Sequence, residues 1–472
     1  MAQRAKPVLT SRLCKGCGRC IESCQHHCIE LGTAVDPATG LIPVTLHLEE
    51  CTSCGLCLDA CPEPFGLMAE GEEVQAVEVR DPHHVFGPRT SSAPRTHDLP
   101  GTRLPLPECG PLVVKGTYAS AIGALLAGCR HFFGYPITPS TEGAELMAKL
   151  LPELDGHFLQ AVSEVATINM MYGCGGAGLP SMTFTSSPGF SLMLEGLSYM
   201  VGAEVPGVVV NVMRGGPGLG NIAPEQGDIK LACRGLGHGN SHGIVLAPST
   251  PQEMLDLTML AFELSFRYRN PVVVLADGYL GQMTGRVALP SALVKPGLPA
   301  WAVWGDEMHR GNLISSIRLS ETDLEAHNRH LVAKYARIAA NEARADLHRC
   351  EDAELVLVAC NTPARMAKGA VTALRGAGIK AGLFRPLTLW PFPTEKLAPL
   401  LRRARRLVVV EASDGQLEDE LRLALSHGGL GAPMIERISR SGGVLPSQEE
   451  IVARLDQHAT ARRAAVREEV VA

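Results

Sequence analysis

The chain reads as an α/β protein: a small α+β head followed by two units built on parallel sheets. Three observations predict this. Short β-branched runs bounded by Gly, Pro and Asp, GVVVNVM at 207–213 and PVVVLAD at 271–277, have the composition of strands buried on both faces. Helical patterns alternate with such runs from residue 111 onward, as they do where helices cover a parallel sheet. The chain's 472 residues, 46% apolar and 19% charged, suffice for about three domains with sizeable cores. Abundant glycine (49) and sparse aromatics (4%) suit many tight turns between strand and helix. The net charge of −6 argues against a nucleic-acid binder.

The head is defined by eight cysteines in two runs, Cys14-Cys17-Cys20-Cys24 and Cys51-Cys54-Cys57-Cys61, both spaced C-x2-C-x2-C-x3-C. That spacing holds two [4Fe–4S] clusters in a bacterial-type ferredoxin domain. Three thiolates two residues apart wrap one face of a cubane cluster, and the fourth lies too far along the chain to finish the same cube. The expected ligand sets are therefore Cys14, Cys17, Cys20 with Cys61, and Cys51, Cys54, Cys57 with Cys24. Zinc and disulfides are the weaker readings, since structural zinc takes separated pairs and a disulfide framework goes with secretion. Pro62 follows Cys61 but Gln25 follows Cys24, which loosens the first turn without removing a ligand. Residues 1–80 hold 6 basic and 11 acidic side chains, an acidic surface suited to a basic redox partner or simply to solubility. The other seven cysteines (28, 109, 129, 174, 233, 350 and 360) show no metal spacing and read as buried free thiols in a reducing cytoplasm. MAQRAKPVLTSRLC lacks an apolar leader, and no run nears the ~18–20 apolar residues of a spanning helix, so a cytoplasmic protein is expected.

The head is expected to end near residue 85, its two cysteine runs implying a pseudo-two-fold hairpin-and-helix repeat. Residues 86–110 carry five prolines and read as an extended tether. The first α/β unit then spans 111–290. A connector at 291–350 holds Trp301, Trp304 and a polar helix around 321–348, and a second α/β unit fills 351–472. Arg402, Arg403, Arg405 and Arg406 close a helix there and read as a solvated cap favoured by the helix dipole. The run from Arg214 to Gly220 fits G-x-G-x-x-A at Gly218, Gly220 and Ala223. Pro217 and Pro224 bracket it, so no helix can start there to receive a pyrophosphate; a loop over a site is expected instead.

Outside the cysteines, the stretch Gly134-Tyr135-Pro136-Ile137-Thr138-Pro139-Ser140-Thr141-Glu142 carries most information. It reads as a strand end turning into a helix, with Thr138 as N-cap, Pro139 at N1 and Glu142 in the first turn. Ligands of parallel sheets bind at such strand ends. Here the chain also resembles a known family. GYPITPSTEGAE, QAVSEVATINMMYGCGGAG, SSPGFSLMLEGLSYM and VMRGGPGLGNIAPEQGD are together similar to the α subunit of thiamine-diphosphate-dependent 2-oxoacid:ferredoxin oxidoreductases. LVLVACNTPARMAKGAV, FRPLTLWPFP and VVVEASDGQL resemble that subunit's second domain. The resemblance covers roughly residues 111–472 and implies a thiamine-diphosphate pyrimidine-binding-type parallel α/β domain followed by a transketolase-C-like α/β domain.

The resemblance also implies chemistry. Glu164 matches the glutamate that hydrogen-bonds the cofactor's aminopyrimidine, with Pro139 and Tyr135 beside the cofactor. Thr138 would meet the substrate carbonyl, and Arg214, leaving strand GVVVNVM, would pair with the substrate carboxylate. From position alone, Glu164 is an acidic residue at a helix start, worth about 0.3–1 kcal/mol against the dipole. Enzymes of this class hold diphosphate and Mg²⁺ with a Gly-Asp-Gly stretch and paired asparagines, and neither occurs here. The implied assembly therefore has a β subunit for the diphosphate, its Mg²⁺ and a further cluster, and a γ subunit for coenzyme A handling. The implied reaction is coenzyme A-dependent oxidative decarboxylation of a 2-oxoacid, with electrons passed to an external ferredoxin. APEQGDI and GHGNSHGIVLAPSTPQEM look most like branched-chain, 2-oxoisovalerate-type subunits, while 2-oxoglutarate and aryl-glyoxylate enzymes share much of the pattern. Gly116-Thr117-Tyr118-Ala119 and Glu411-Ala412-Ser413-Asp414-Gly415-Gln416 depart from the family's usual motifs and bear on fine substrate contacts. A non-catalytic electron-transfer and scaffold subunit is the alternative from another class.

Overall fold

Regular structure follows the expected alternation. The computed structural model describes residues 5–14, 16–36, 41–62, 66–71 and 101–456, which fall into two compact units divided near residue 93. Most of the expected tether, residues 86–100, lies outside the described residues. Its remaining part is not wholly extended coil: strand β5 (Thr102–Pro105) pairs antiparallel with β14 (Ala292–Lys295). Prolines are tolerated there because this two-stranded ribbon leaves an edge where their missing N–H groups are not required.

The head repeats itself, as its sequence does. Strand β1 (Pro7–Leu9) pairs with β4 (Leu67–Ala69), and β2 (Ile29–Leu31) with β3 (Val44–Leu46), both antiparallel. The third cysteine of each run lies in a one-turn helix, α1 (Arg19–Ser23) or α2 (Leu56–Ala60). Gly18 and Gly55 lead into those helices in the left-handed conformation, both at φ 77. The head's small core is built largely from the cysteines themselves with Ile29, Val44 and Leu67. So little apolar area stabilises weakly, and bound clusters would supply much of the head's stability.

In the second unit, β6 (Leu112–Lys115) leads into α3 (Gly116–Leu126), then β7 (His131–Gly134), α4 (Thr141–Leu150) and β8 (His157–Gln160). Helix α5 (Glu164–Gly176), β9 (Ser181–Thr185), α6 (Ser187–Gly202) and β10 (Gly207–Met213) follow. The short α7 (Ile229–Arg234) precedes β11 (Ile244–Leu246), α8 (Pro251–Tyr268), β12 (Pro271–Asp277) and α9 (Gly278–Gln282). Strands β7 to β12 form one parallel sheet in the order β11-β12-β10-β9-β7-β8. Val208, Val209, Val210, Val212 and Val272 to Ala276 are fully buried, which explains why these strands are apolar on both faces. Asn211 is the exception within β10, and its amide donates to Asp228 Oδ2 at 2.9 Å.

After β13 (Thr284–Val287) and β14, helix α10 (Glu321–Glu342) ends six residues earlier than its polar pattern suggested. Ala345–His348 instead forms β15, an antiparallel edge strand on β17 (Ala381–Pro386). The second sheet runs β15-β17-β16-β19-β20, with β16 at Leu355–Val358, β19 at Arg406–Glu411 and β20 at Met434–Ser439. Helices α11 (Asn361–Gly376), α12 (Thr394–Leu401), α13 (Gln416–His427) and α14 (Gln448–Leu455) pack around it. One residue, Leu387, separates β17 from β18 (Thr388–Trp390), and β18 crosses over to pair antiparallel with β11 at the edge of the first sheet. The two α/β halves thus share a sheet. Trp390 seals the junction, stacked on His242 with ring centroids 4.7 Å apart. The arginine cluster is less of a solvated cap than its composition implied. Arg402 ends α12, whereas Arg406 opens β19 and grips Glu436 through two bonds of 2.7 and 2.9 Å.

Candidate functional site at the carboxyl edge of the first sheet

In a parallel sheet every strand ends on the same side, so the segments that follow β7, β8, β9, β10 and β12 come together there. Thr138 and Pro139 follow β7, Glu164 follows β8, Ser187 follows β9, Arg214 follows β10 and Gly278 follows β12. Thr138 is not the helix cap. Helix α4 starts at Thr141 with Ser140 before it, and the Thr138–Pro139 peptide is cis. Ser140 closes a turn onto Ile137 O through both its N–H (3.0 Å) and its Oγ (2.8 Å), so the helix cannot begin at Pro139. Glu142 does lie in the first turn, where it bonds Lys115 Nζ at 2.8 Å and raises the lysine's pKa.

Arg214 and Thr138 are brought into contact. Arg214 Nη1 donates to Thr138 O at 2.7 Å and Nη2 to Leu219 O at 3.3 Å, while the buried Nε has no protein partner. Burying a guanidinium that is only partly satisfied costs free energy, as it does where a further acceptor is to be bound. The loop it brackets is tightly turned. A Cβ at Gly220 (φ 56) would lie 1.7 Å from Gly215 O, so only glycine fits there. No helix follows the loop before Ile229, in keeping with rejection of a dinucleotide site.

Glu164 opens α5 behind the N-cap Ser163, whose Oγ accepts from Ala166 N at 3.2 Å. An acidic residue there for the dipole alone would face water. Instead Glu164 is 5% exposed, while its apolar neighbours Val165 and Val162 are 44% and 87% exposed. The helix is turned with its carboxylate inward and its valine outward. Gly189 of α6 makes the room: a Cβ there would sit 2.5 Å from Glu164 Oε1 and 2.5 Å from Thr185 Oγ1. Two residues earlier Ser187 Oγ accepts from Arg214 N at 3.1 Å and donates to Asp228 Oδ2 at 2.6 Å. Contacts thus run without a break from Glu164 through α6 to Arg214 and Thr138. Burial pushes the Asp228 carboxyl up, and the bonds from Ser187 and Asn211 oppose it. Tyr135 stands 42% exposed at the end of β7, and Pro139 O accepts from Gln282 Nε2 at 2.9 Å.

Ser187, Asp228, Glu225 and Gln226 were not singled out from sequence. Glu225 accepts from Gly216 N at 2.7 Å and from Gly442 N at 3.1 Å, so the second α/β half braces the Arg214 loop. Gln226 bridges the halves through Ala412 N and O, both at 2.8 Å, and through Cys360 O at 3.1 Å. A polar Asn211 inside an otherwise apolar strand was the one available signal, since a buried amide requires a partner.

The cysteines of the head line two separate cavities. One is bounded by Cys14, Cys17, Cys20 and Cys61, the other by Cys24, Cys51, Cys54 and Cys57. Each lining groups the cysteines that the spacing puts in one expected ligand set, with one member from the other run. Burial raises the Cys20 thiol, and Cys61, Cys14 and Cys17 raise it further; burial, then Cys24, carry Cys57 to about 11. Four thiols facing one small space repel as thiolates, and this donor set fits a polynuclear iron cluster that neutralises them. Among the described residues, no three Cys, His, Asp or Glu side chains close on a single-ion site. Of the seven remaining cysteines, five are buried as expected, whereas Cys109 is exposed and Cys174 only half-buried.

Residues 122–299 match the family model of the pyruvate flavodoxin/ferredoxin oxidoreductase thiamine-diphosphate-binding domain. Residues 353–451 match core domain II of pyruvate:ferredoxin oxidoreductase, and residues 13–64 a 4Fe-4S dicluster domain. The ketoisovalerate oxidoreductase subunit VorB of Methanothermobacter thermautotrophicus is 46% identical over 345 residues, 73% of this chain and 96% of that relative. The chain belongs to the 2-oxoacid:ferredoxin oxidoreductase family. Another member, the 2-oxoglutarate synthase subunit KorA of Methanocaldococcus jannaschii, is 36% identical over 72% of this chain and 97% of its own length. A solved 2-oxoglutarate:ferredoxin oxidoreductase from Magnetococcus marinus, with 2-oxoglutarate, coenzyme A and succinyl-CoA bound, superposes with a TM-score of 0.67 at 27% identity. That likeness covers 74% of this chain, which spans 65% of the neighbour's length. The protein is thus a subunit of a thiamine-diphosphate-dependent, iron–sulfur 2-oxoacid oxidoreductase, with a 4Fe-4S head ahead of its α/β halves. Among the described residues no helix is long and apolar enough to cross a membrane.

Proposed function

We propose that this chain is the α subunit of an enzyme that oxidatively decarboxylates a branched-chain 2-oxoacid of the 2-oxoisovalerate type with coenzyme A. The products are the acyl-CoA, CO2 and two electrons, which leave through the head's clusters to an external ferredoxin. The observation that carries this reading is the inward-turned Glu164, buried at the sheet's carboxyl edge behind a valine that faces solvent. A buried carboxylate cradled by a glycine is a poor stabiliser and a good partner for a protonated heterocycle. Thiamine diphosphate, when bound, supplies a nucleophilic carbon for the 2-oxo group. Glu164 would hold the pyrimidine proton at its carboxylate, Pro139 and Tyr135 would line the ring's side, and Thr138 would orient the substrate carbonyl. Arg214, aimed by its bonds to Thr138 O and Leu219 O, would present its unpartnered Nε to the substrate carboxylate. Leu219 and Ile222 stand exposed on the same loop, an apolar surface that suits a branched aliphatic side chain.

The remaining parts belong to the assembly. Leu159, Val162 and Val165 form an exposed apolar strip beside Glu164, the kind of surface a subunit covers. We place a β subunit there to hold diphosphate and Mg²⁺, with a γ subunit for coenzyme A, in the cytoplasm. The proposed domains are residues 1–85, 111–290 and 351–472, joined through 86–110 and 291–350. The test is an anaerobic dye-reduction assay on the chain co-purified with its partners, over a panel of 2-oxoacids with and without coenzyme A. Reduction with branched-chain acids that needs coenzyme A and falls about 100-fold or more in Glu164→Gln supports the reading. Preference for 2-oxoglutarate or an aryl-glyoxylate would overturn the substrate class. No reduction by any 2-oxoacid, with clusters and thiamine diphosphate bound, would make the chain an electron-transfer scaffold.

A further inference from the structure

Cys28 stands four residues beyond Cys24 and belongs to neither cysteine run. It is nonetheless buried and lines the same cavity as Cys24, Cys51, Cys54 and Cys57. Its main-chain N–H donates to Cys24 Sγ at 3.3 Å, so the two residues meet at the sulfur assigned to the cluster. Its own thiol contacts His26 O at 3.6 Å and also interacts with the Cys24 side chain. The paired cavity provides a built-in comparison: Cys14, Cys17, Cys20 and Cys61 line it beside Val44, Pro62, Gly66 and Leu67, with no fifth thiol. The two fourth-ligand segments also differ in sequence. Pro62 follows Cys61, whereas Gln25 follows Cys24, and residues 24–27 form a turn closed by His27 N to Cys24 O at 3.2 Å, with His27 at φ 52. Cys28 is held at the far end of that turn by His47 N, which donates to its carbonyl at 2.8 Å.

We propose that the second cluster site offers five thiols for four irons, with Cys28 as a reserve ligand that takes the iron of Cys24 when Cys24 cannot. The proposal rests on the cluster assignment above. The exchange is thiolate for thiolate: the Cys28 S–H gives its proton to solvent, its sulfur bonds the iron that Cys24 has left, and no electron moves. The turn at 25–27, free of a ring that fixes φ, supplies the slack for the shift. Among the described residues the first site has no spare thiol, and its fourth cysteine is followed by Pro62, whose ring fixes φ.

The test uses the full chain purified anaerobically with its partner subunits, read by iron content and by electron paramagnetic resonance of the reduced clusters. Cys61→Ala should lose about four irons per chain, one cluster. Cys24→Ala should keep its iron but shift one cluster's spectrum, Cys28→Ala should keep all of it, and Cys24→Ala with Cys28→Ala should lose about four. Because Cys24→Ala could unfold the head, Cys24→Ser is compared with and without Cys28→Ala, preserving side-chain size. In the serine pair, the shifted spectrum of Cys24→Ala appearing only where Cys28 remains supports the proposal. Iron loss in Cys24→Ala equal to that in Cys61→Ala, or identical spectra from the serine pair, overturns it. Full iron retention in Cys61→Ala would instead overturn the cluster assignment itself.

Discussion

Replacing Gly189 with alanine puts a methyl carbon where the Glu164 carboxylate now rests. The added Cβ would lie 2.5 Å from Oε1, 2.9 Å from Cδ and 2.5 Å from Thr185 Oγ1. Carbon and oxygen ordinarily approach to about 3.3 Å, so the carboxylate must retreat by roughly 0.8 Å. Glu164 begins a helix whose N-cap is fixed by Ser163, so the backbone cannot absorb that shift and the side chain must. A displacement near 1 Å at a group that positions the reacting centre costs on the order of 100-fold in rate, about 2.7 kcal/mol. The helix itself should gain, by up to about 1 kcal/mol, because alanine has the higher propensity. Crowding against the fully buried Thr185 costs about 1–3 kcal/mol in return, so the signature is a more slowly turning enzyme whose melting temperature falls only modestly. The assay is kcat in anaerobic dye reduction with partner subunits, alongside thermal unfolding and thiamine diphosphate affinity. A Gly189→Ala enzyme within threefold of wild-type kcat, with unaltered cofactor affinity, would refute the positioning role of Glu164.

Other outcomes follow from the same geometry. Arg214→Lys keeps the charge but loses the fork that spans Thr138 O and Leu219 O; KM for the 2-oxoacid should rise about 10- to 100-fold with a smaller change in kcat. Asp277→Ala removes the acceptor for Leu280 N, Thr362 N and Thr362 Oγ, joining β12 to α11, and should destabilise by about 3 kcal/mol in denaturant unfolding. Lys334 is buried 3.3 Å from Glu204, and burial lowers its pKa to about 8. From about pH 8 up to its unfolded value near 10.4, the unfolded chain keeps a proton that the native chain has released, so this residue makes stability rise with pH. Below that window it contributes no slope. The stability of wild type relative to Lys334→Met should therefore increase between pH 8 and 10, and a constant difference would count against the shift.

Sequence alone determined whatever depends on local spacing and composition. The two cysteine runs imply two groups of thiols because i, i+3, i+6 geometry is a property of a short chain, and the two cavities are lined by those groups. The apolar runs at 207–213 and 271–277 specify buried strands because a parallel sheet covered on both faces has no polar side. Motif resemblance pointed to Thr138, Glu164 and Arg214 as candidates, and their position at one sheet edge follows from parallel strand direction. Only the tertiary structure decided the rest. Which way Glu164 faces depends on Gly189, 25 residues away, and on how α6 packs against α5. The start of α4 at Thr141 rests on a competing turn onto Ile137, which single-residue capping preferences do not weigh. The crossing of β18 into the first sheet, and the bridging by Glu225 and Gln226, join residues more than 130 positions apart. Cys28 lacked metal spacing along the chain, yet folding set it against Cys24, because a turn brings i and i+4 together where no linear motif requires it.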